Sequence, residues 1–140
     1  MALFETESIG LGSRRPERLA EWYRKIFGAE QVYESLDAPP ILFLRMPGGA
    51  LLEIYQSDFE ITETREKKLS GWRYLTVRVQ SLSDAVQELE QHGVRLERAS
   101  HHAVGGGSAL MLRDPEDNLI YLVERPSQFP RSGPSAKVQG

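Results

Sequence analysis

The chain has no cysteine, no long apolar run and no excess of basic charge. Without cysteine it can form no disulfide, and it has neither thiolate metal ligands nor a thiol nucleophile. Its apolar runs are too short to span a membrane, and the first residues lack the basic and then apolar pattern of a signal peptide. The formal net charge of −3 does not indicate the basic surface that nucleic-acid binding requires. We therefore expect a cytoplasmic protein that binds neither nucleic acid nor membrane.

Apolar residues recur with the same pattern in the two halves of the 140-residue chain. Helical spacing predicts one helix over residues 16–27, which Gly28 ends. It predicts a second helix over residues 82–92, with Ser83 as the N-cap and Gly93 as the stop. A strand precedes each helix and further strands follow it. The predicted strands are residues 8–13, 41–46 and 50–56 in the first half, and 73–79, 108–114 and 118–124 in the second.

Equivalent residues of the two halves are separated by nearly the same number of positions. Arg45 and Arg113 are 68 positions apart, and so are Glu53 and Tyr121. Each half reads strand, helix, and then two or three strands. The alternative, two unrelated stretches that match by chance, is disfavoured because four elements recur in the same order.

The repeat predicts one domain, residues 1–125, made of two modules. We place the modules at residues 4–57 and 70–125, with a linker at 58–69. Residues 126–140 are rich in proline, serine and glycine, which predicts an extended or disordered tail. One helix covers only one face of a module's sheet, so two modules side by side would enclose a cleft. Clefts of this kind are typical of small-molecule sites.

Strand alternation assigns residues to the open faces of the two sheets. Glu53, Tyr74 and Tyr121 alternate with apolar core positions and should face the cleft. Arg45 and Arg78 lie on or near the same faces and are candidates for binding an anionic ligand. The third arginine of this set, at position 113, sits at a strand end and is expected to be a solvated surface residue.

The sequence resembles the vicinal oxygen chelate superfamily, which includes glyoxalase I, bleomycin-resistance proteins, extradiol dioxygenases and fosfomycin-resistance enzymes. The resemblance covers roughly residues 6–125 and is carried by RLAEWYRKIFG, LLEIYQ, SLSDAVQELEQHGV and LRDPEDNLIYLVE. The last segment resembles the family's Asp-Pro-acidic-Gly-Asn turn, with Asp117 where glycine is usual. The resemblance implies an α+β fold in which two βαβββ modules pair into an open cup-shaped mixed β-sheet with helices on the outer face. It also implies a homodimer.

Enzymes of this superfamily usually hold one divalent metal through four strand positions, most often histidine or glutamate. The matching positions here are Ser8, Glu53, Tyr74 and Tyr121. Only Glu53 is an ordinary metal ligand, because a phenol ligates well only after losing a proton whose usual pKa is about 10. We therefore expect no tightly bound metal and no other cofactor. A divalent metal held weakly by Glu53 is the alternative.

The expected ligand-binding residues are Ser8, Arg45, Glu53, Tyr74, Arg78 and Tyr121. The tyrosines would stack on a planar ligand or donate to it, and the glutamate would accept a hydrogen bond. The alternative for the glutamate is an ion pair with Arg45 or Arg78.

The candidate catalytic residues are Glu53, His101 and His102. Neighbouring residues on a strand point to opposite faces, so only one of the two histidines would face the cleft. The alternative reading is that both lie in a polar loop, beside a flexible glycine rim at residues 105–107.

Three functions are compatible with these features. The first is a small-molecule binder of the bleomycin-resistance type that works without metal. The second is a lyase, isomerase or dioxygenase with an atypical metal site, or with metal-free acid–base chemistry that uses Glu53 and a histidine from 101–102. The third is a non-catalytic module that acts through dimerisation or regulation. Fold alone does not choose among them.

Overall fold

The computed structural model describes residue 3, residues 5–58 and residues 74–126. The chain divides into two compact units, Met1–Lys67 and Lys68–Gly140. Most of the predicted linker and almost all of the predicted C-terminal tail lie outside the described residues.

The first unit contains one helix and a four-stranded mixed sheet. The strand order in the sheet is β1-β4-β3-β2, in which β1 and β4 are parallel and the other neighbours are antiparallel. In chain order the elements are β1 (Ile9–Ser13), α1 (Pro16–Phe27), β2 (Glu30–Glu34), β3 (Leu42–Arg45) and β4 (Leu51–Gln56).

The second unit repeats this topology. The strand order is β5-β8-β7-β6, again with one parallel pair, β5 and β8, and two antiparallel pairs. The α+β class and the two βαβββ modules are therefore confirmed, whereas their pairing into one cup stays a prediction. The elements are β5 (Tyr74–Arg78), α2 (Leu82–Gln91), β6 (Leu96–His102), β7 (Ser108–Arg113) and β8 (Leu119–Glu124).

Helix α1 begins and ends where its sequence predicts. Pro16 occupies the first turn, where a missing backbone N–H costs no helical hydrogen bond. Gly28 caps the other end in the left-handed conformation (φ 74°), and its N–H donates to the carbonyl of Arg24. Between these ends, Leu19 and Tyr23 are buried against the sheet. Burying such side chains stabilises each by roughly 1.5–3 kcal/mol.

Helix α2 has a different N-cap from the predicted Ser83. The cap is Ser81, whose backbone is extended and whose Oγ accepts from the N–H of Asp84 at 3.2 Å. The prediction was wrong because both serines satisfy the local cap preference, and Ser83 itself lies inside the helix. A second acceptor comes from β8, since Glu124 Oε1 lies 2.8 Å from the N–H of Leu82. The helix ends at Gln91, followed by a capping His92 rather than directly by the predicted glycine stop.

The core of each unit lies between its helix and one face of its sheet. Strands β3 and β4 alternate between buried apolar residues and more exposed neighbours, whereas in β7 and β8 Ala109 and Val123 are buried on the other face as well. The buried apolar strand residues on the helix side are Leu42, Leu44, Leu52 and Ile54 in the first unit, and Leu110, Leu112, Ile120 and Leu122 in the second. We call the other side of each sheet its helix-free face.

The sequence patterns did not predict β2 and β6. Every residue of β2 is exposed, and so are six of the seven residues of β6. Both strands form the last position of their sheet, where backbone pairing with one neighbour holds them and no apolar alternation is needed. Register shifts in both ladders further blur any period of two.

Candidate functional site

The strand register reproduces the repeat found in the sequence. Glu53 pairs with Gly10 of β1 and Phe43 of β3. Tyr121 occupies the equivalent place, beside Thr76 of β5 and Met111 of β7. Each therefore stands on the helix-free face of its own sheet, in the strand next to the parallel edge strand.

Tyr121 is half-buried, and its chain neighbours Ile120 and Leu122 are buried on the opposite face. Its ring meets the ring of Tyr74 edge to face, with centroids 4.6 Å apart and planes at 66°. Tyr74 itself is 60% exposed. The two phenols therefore form one partly solvated aromatic surface, as expected for residues at these strand positions.

His101 joins this surface from β6. It pairs with Ala109, and its ring centroid lies 6.2 Å from that of Tyr121. Its Nδ1 lies 3.2 Å from the carbonyl oxygen of Ala99. In the tautomer that donates this hydrogen bond, Nε2 remains an acceptor. We call Tyr74, His101 and Tyr121 the aromatic patch.

His102 lies on the other face of β6 and is exposed. The polar-loop alternative for the two histidines is wrong, because both belong to a strand that runs through His102. Only His101 reaches the aromatic patch. The sequence could separate the two by strand alternation but could not say which one faces the tyrosines.

Arg78 and Arg98 lie on the same face as the aromatic patch. Arg78 pairs with Val123 of β8, which pairs with Ala109 of β7, which in turn pairs with His101 of β6. Arg78 and His101 therefore stand in one row across the sheet. Arg98 pairs with Met111, next to Tyr121. Both arginines are exposed. Arg98 was missed in the sequence because β6 carries no strand pattern of its own.

Arg113 is not the solvated residue that was expected. Its side chain is only 15% exposed and lies 3.6 Å from a carboxylate oxygen of Glu97. Its Nη1 also donates to the carbonyl oxygen of Asp117 at 2.9 Å. Asp117 adopts a positive φ of 65° in the turn between β7 and β8. Arg113 therefore holds a turn instead of facing solvent.

Residues 105–107 form a glycine turn between β6 and β7 that contacts the end of β8. The guanidinium of Arg125 donates to the carbonyl oxygens of Val104 and Gly106. Any Cβ at Gly107 would overlap the carbonyl oxygen of Glu124. These glycines therefore permit close backbone packing, a role that the expected flexible rim did not include.

Glu53 is half-buried on the helix-free face of the first unit. Within residues 5–58 its carboxylate has no hydrogen-bond or ion-pair partner, so the expected alternative of pairing with Arg45 is not realised. Arg45 pairs in register with Leu51 and is exposed. Ser8 is half-buried and lies immediately before β1, outside the strand.

Tyr55 lies beside Glu53 on this face, and its ring crosses the edge strand β1. A Cβ built on Gly12 would lie 3.2 Å from the Tyr55 hydroxyl, and one built on Gly10 would lie 3.6 Å from its Cε1. The two glycines thus leave room for the ring. Phe43 lies on the other side of Glu53, and its ring centroid is 5.7 Å from that of Tyr33.

The donors at the family's metal positions do not fit a transition-metal site. They are one hydroxyl, one carboxylate and two phenols, from Ser8, Glu53, Tyr74 and Tyr121. Across residues 5–58 and 74–126, no group of three histidine, aspartate or glutamate side chains comes together in a way that would hold a metal ion. Such ions bind through several nitrogen, thiolate or carboxylate donors.

No helix in the described part of the chain is long and apolar enough to cross a membrane.

Comparison with protein families gives one match that spans most of the chain. The profile of the Glyoxalase/Bleomycin resistance protein/Dioxygenase superfamily matches residues 7–122. Among curated protein sequences, none matches this chain significantly.

Solved structures share the fold at low sequence identity. A glyoxalase family protein from Enterococcus faecalis superposes with a TM-score of 0.74 at 20% identity, covering 89% of this chain and 100% of that one. A glyoxylase/bleomycin resistance protein/dioxygenase domain from Frankia sp. EAN1pec gives 0.70 at 17% identity, with coverages of 89% and 100%. A fosfomycin resistance protein from Listeria monocytogenes, whose structure is described as a complex with Mn(II) and a dihydroxypropylphosphonic acid, gives 0.67 at 16% identity, with coverages of 91% and 94%.

Proposed function

Because the chain belongs to the Glyoxalase/Bleomycin resistance protein/Dioxygenase superfamily, we propose that it binds a small planar organic molecule and does so without the family's metal. The site is the helix-free face of the second unit, at the aromatic patch. The observation that carries the proposal is the edge-to-face contact of Tyr74 and Tyr121, with His101 beside them.

The aromatic patch has the properties of a binding surface for a planar ligand. Tyr74 is mostly exposed, so the pair is not a closed core contact. Exposed aromatic rings in a fixed edge-to-face arrangement present a ring face for stacking and a hydroxyl for hydrogen bonding. Each ring is also rigid, so binding restricts few rotatable bonds.

The charges around the patch favour a ligand with an acidic or hydrogen-bond-accepting group. Arg78 and Arg98 lie on this face, and the guanidinium fork suits a carboxylate. A planar carboxylate would therefore use both features, with its ring against the tyrosines and its charge towards the arginines.

Naphthoate is a suitable probe because it is planar and anionic, and cyclohexanecarboxylate keeps the charge without the aromatic ring. We expect naphthoate to raise the melting temperature and to shift the backbone amide signals of Thr76 and Met111. Tyr74→Leu should weaken this binding. Tyr33→Leu is the matched control, because Tyr33 is equally an exposed tyrosine in an edge-to-face pair. Equal binding of both carboxylates, or no effect of Tyr74→Leu, would contradict the proposal.

A metal-free acid–base reaction is a second candidate, and the geometry of His101 favours it. Its hydrogen bond to Ala99 orients the ring and leaves one nitrogen to accept a proton beside Tyr121. A base here would promote exchange of an acidic ligand C–H with deuterated water. His101→Gln should abolish that exchange even at saturating ligand, where a change in affinity does not affect the rate.

We keep as proposals that Ser8, Arg45 and Glu53 contact a ligand and that the protein is cytoplasmic. We also propose that it forms a homodimer. Edge strands β2 and β6 carry unpaired backbone groups, which favours pairing with a second copy. Light scattering at tens of micromolar should give the mass of two chains, and a monomer at that concentration would contradict the dimer.

A further inference from the structure

We propose that Glu53 and Tyr55, on the helix-free face of the first unit, form a subsite for a protonated amine. This goes beyond the proposed function, because it assigns a second class of ligand, an organic amine, to the sheet of the first unit. The family's metal position would thereby serve an organic cation.

Among residues 5–58 the carboxylate of Glu53 has no ion-pair partner. It is half-buried in the middle of β4, and within residues 5–58 no side chain or backbone N–H bonds to it. Partial burial removes some of the water that would stabilise its negative charge, so a cationic partner is favoured there. An ammonium group supplies both the opposite charge and the hydrogen-bond donors.

Tyr55 supplies the second element of the subsite. Its ring lies over Gly12 and beside Gly10, so β1 contributes no side chain that would separate a ligand from this ring. Tyr55 as a residue is 41% exposed. Cations bind over aromatic faces, and the contribution is larger where the site is shielded from water. Tyr55 therefore adds both an apolar floor and cation–π attraction.

Phe43 and Tyr33 extend the apolar surface on the other side of Glu53. Phe43 pairs directly with Glu53, and its ring contacts that of Tyr33 edge to face. The carboxylate thus stands between Tyr55 on one side and two aromatic rings on the other. An amine attached to an aromatic or aliphatic group would fill this surface.

Arg45 is the positive charge that opposes the proposal on this face, as far as residues 5–58 form it. It is exposed and makes no ion pair with Glu53, so solvent screens its effect. Removing it should strengthen amine binding slightly. A metal ion is the less suitable occupant, because one carboxylate provides too few ligands.

The test uses phenethylamine, which is protonated at neutral pH, with phenylethanol and phenylpropanoate as neutral and anionic analogues. We expect saturable shifts of the backbone amides of Gly10 and Gly12 with the amine, and much weaker binding of the other two. Glu53→Gln should reduce the amine affinity about tenfold, the loss expected for one charge-assisted hydrogen bond. Glu34→Gln, which removes an exposed carboxylate from β2, is the control and should change nothing.

A pair of glycine variants tests the role of the ring without changing charge. Gly12→Ala places a methyl group 3.2 Å from the Tyr55 hydroxyl and should displace the ring, lowering the amine affinity severalfold. Gly10→Ala meets Tyr55 at an ordinary contact distance and should have little effect. Neither position has a positive φ, so alanine is compatible with the backbone.

The outcomes separate this subsite from the proposed function. If the amine binds equally to Glu53→Gln, or leaves Gly10 and Gly12 unshifted while naphthoate still binds at Tyr121, the subsite is overturned and the proposed function stands. If naphthoate fails to bind, the proposed function fails, whatever the amine does. If Glu53→Gln does not fold, an unchanged amine affinity in Gly12→Ala and Tyr55→Leu overturns the subsite.

Discussion

The ring of Tyr74 meets the ring of Tyr121 edge to face, 4.6 Å between centroids, at two positions that the sequence resemblance aligns with metal ligands. Both residues occupy the helix-free face of one sheet. The first sheet carries a different arrangement at its equivalent position, a carboxylate among aromatic rings. The two repeats thus share one topology and differ in the chemistry of their helix-free faces.

Tyr121→Phe should separate ligand binding from folding. The ring contact with Tyr74 is retained, and within residues 74–126 the Tyr121 hydroxyl has no hydrogen-bond partner in the chain. Stability should therefore stay nearly unchanged, whereas naphthoate binding should weaken by about 1 kcal/mol if the hydroxyl bonds to the ligand. Calorimetric titration and urea unfolding measure the two effects. A large loss of stability with unchanged binding would show that the hydroxyl has a structural role.

Metal binding by the purified protein should be weak. Protein equilibrated with Mn²⁺, Ni²⁺ or Zn²⁺ and then desalted should retain far less than one ion per chain, because the expected positions offer a single carboxylate. Elemental analysis by mass spectrometry gives the answer directly. Stoichiometric metal that is lost in Glu53→Gln would contradict the metal-free proposal and favour the enzyme alternative.

Asp117 occupies a position that favours glycine. Its φ is 65°, a region in which side chains with a Cβ cost about 1 kcal/mol and aspartate costs less. Asp117→Ala should therefore destabilise the protein by up to about 1 kcal/mol, whereas Asp117→Gly should preserve or raise stability. Gly28→Ala is the matched control. Gly28 has a φ of 74° and nothing lies within 4 Å of an added Cβ, so this variant should lose stability only through the cost of the backbone conformation. Equal melting temperatures for all these variants would contradict the conformational argument.

Gly107→Ala should be far more damaging than Gly106→Ala. Both glycines have positive φ, so both variants carry the conformational cost. Only the Gly107 variant also forces a Cβ into the carbonyl oxygen of Glu124, which must move the end of β8. We expect a loss of more than ~2 kcal/mol for Gly107→Ala and about 1 kcal/mol for Gly106→Ala. Comparable urea midpoints would show that the turn adapts without strain.

Local patterns determined the helices and the buried strands. Helix α1 agrees with its prediction at both ends, because Pro16 and Gly28 act on the backbone within one turn. The N-cap of α2 was assigned to the wrong serine because two serines compete locally. The choice of Ser81 also depends on where the chain enters the helix beside Glu124 of β8, which is distant in sequence.

The sequence by itself determined the βαβββ repeat and the faces of Glu53, Tyr74 and Tyr121, because alternation is a property of each strand alone. Only the tertiary structure decided which residues surround them. His101 reaches Tyr121 through an edge strand that has no pattern of its own, and the Tyr55 ring lies over Gly12 because β1 pairs with β4. These contacts depend on backbone pairing between strands that are distant in the chain, and no local preference specifies that pairing.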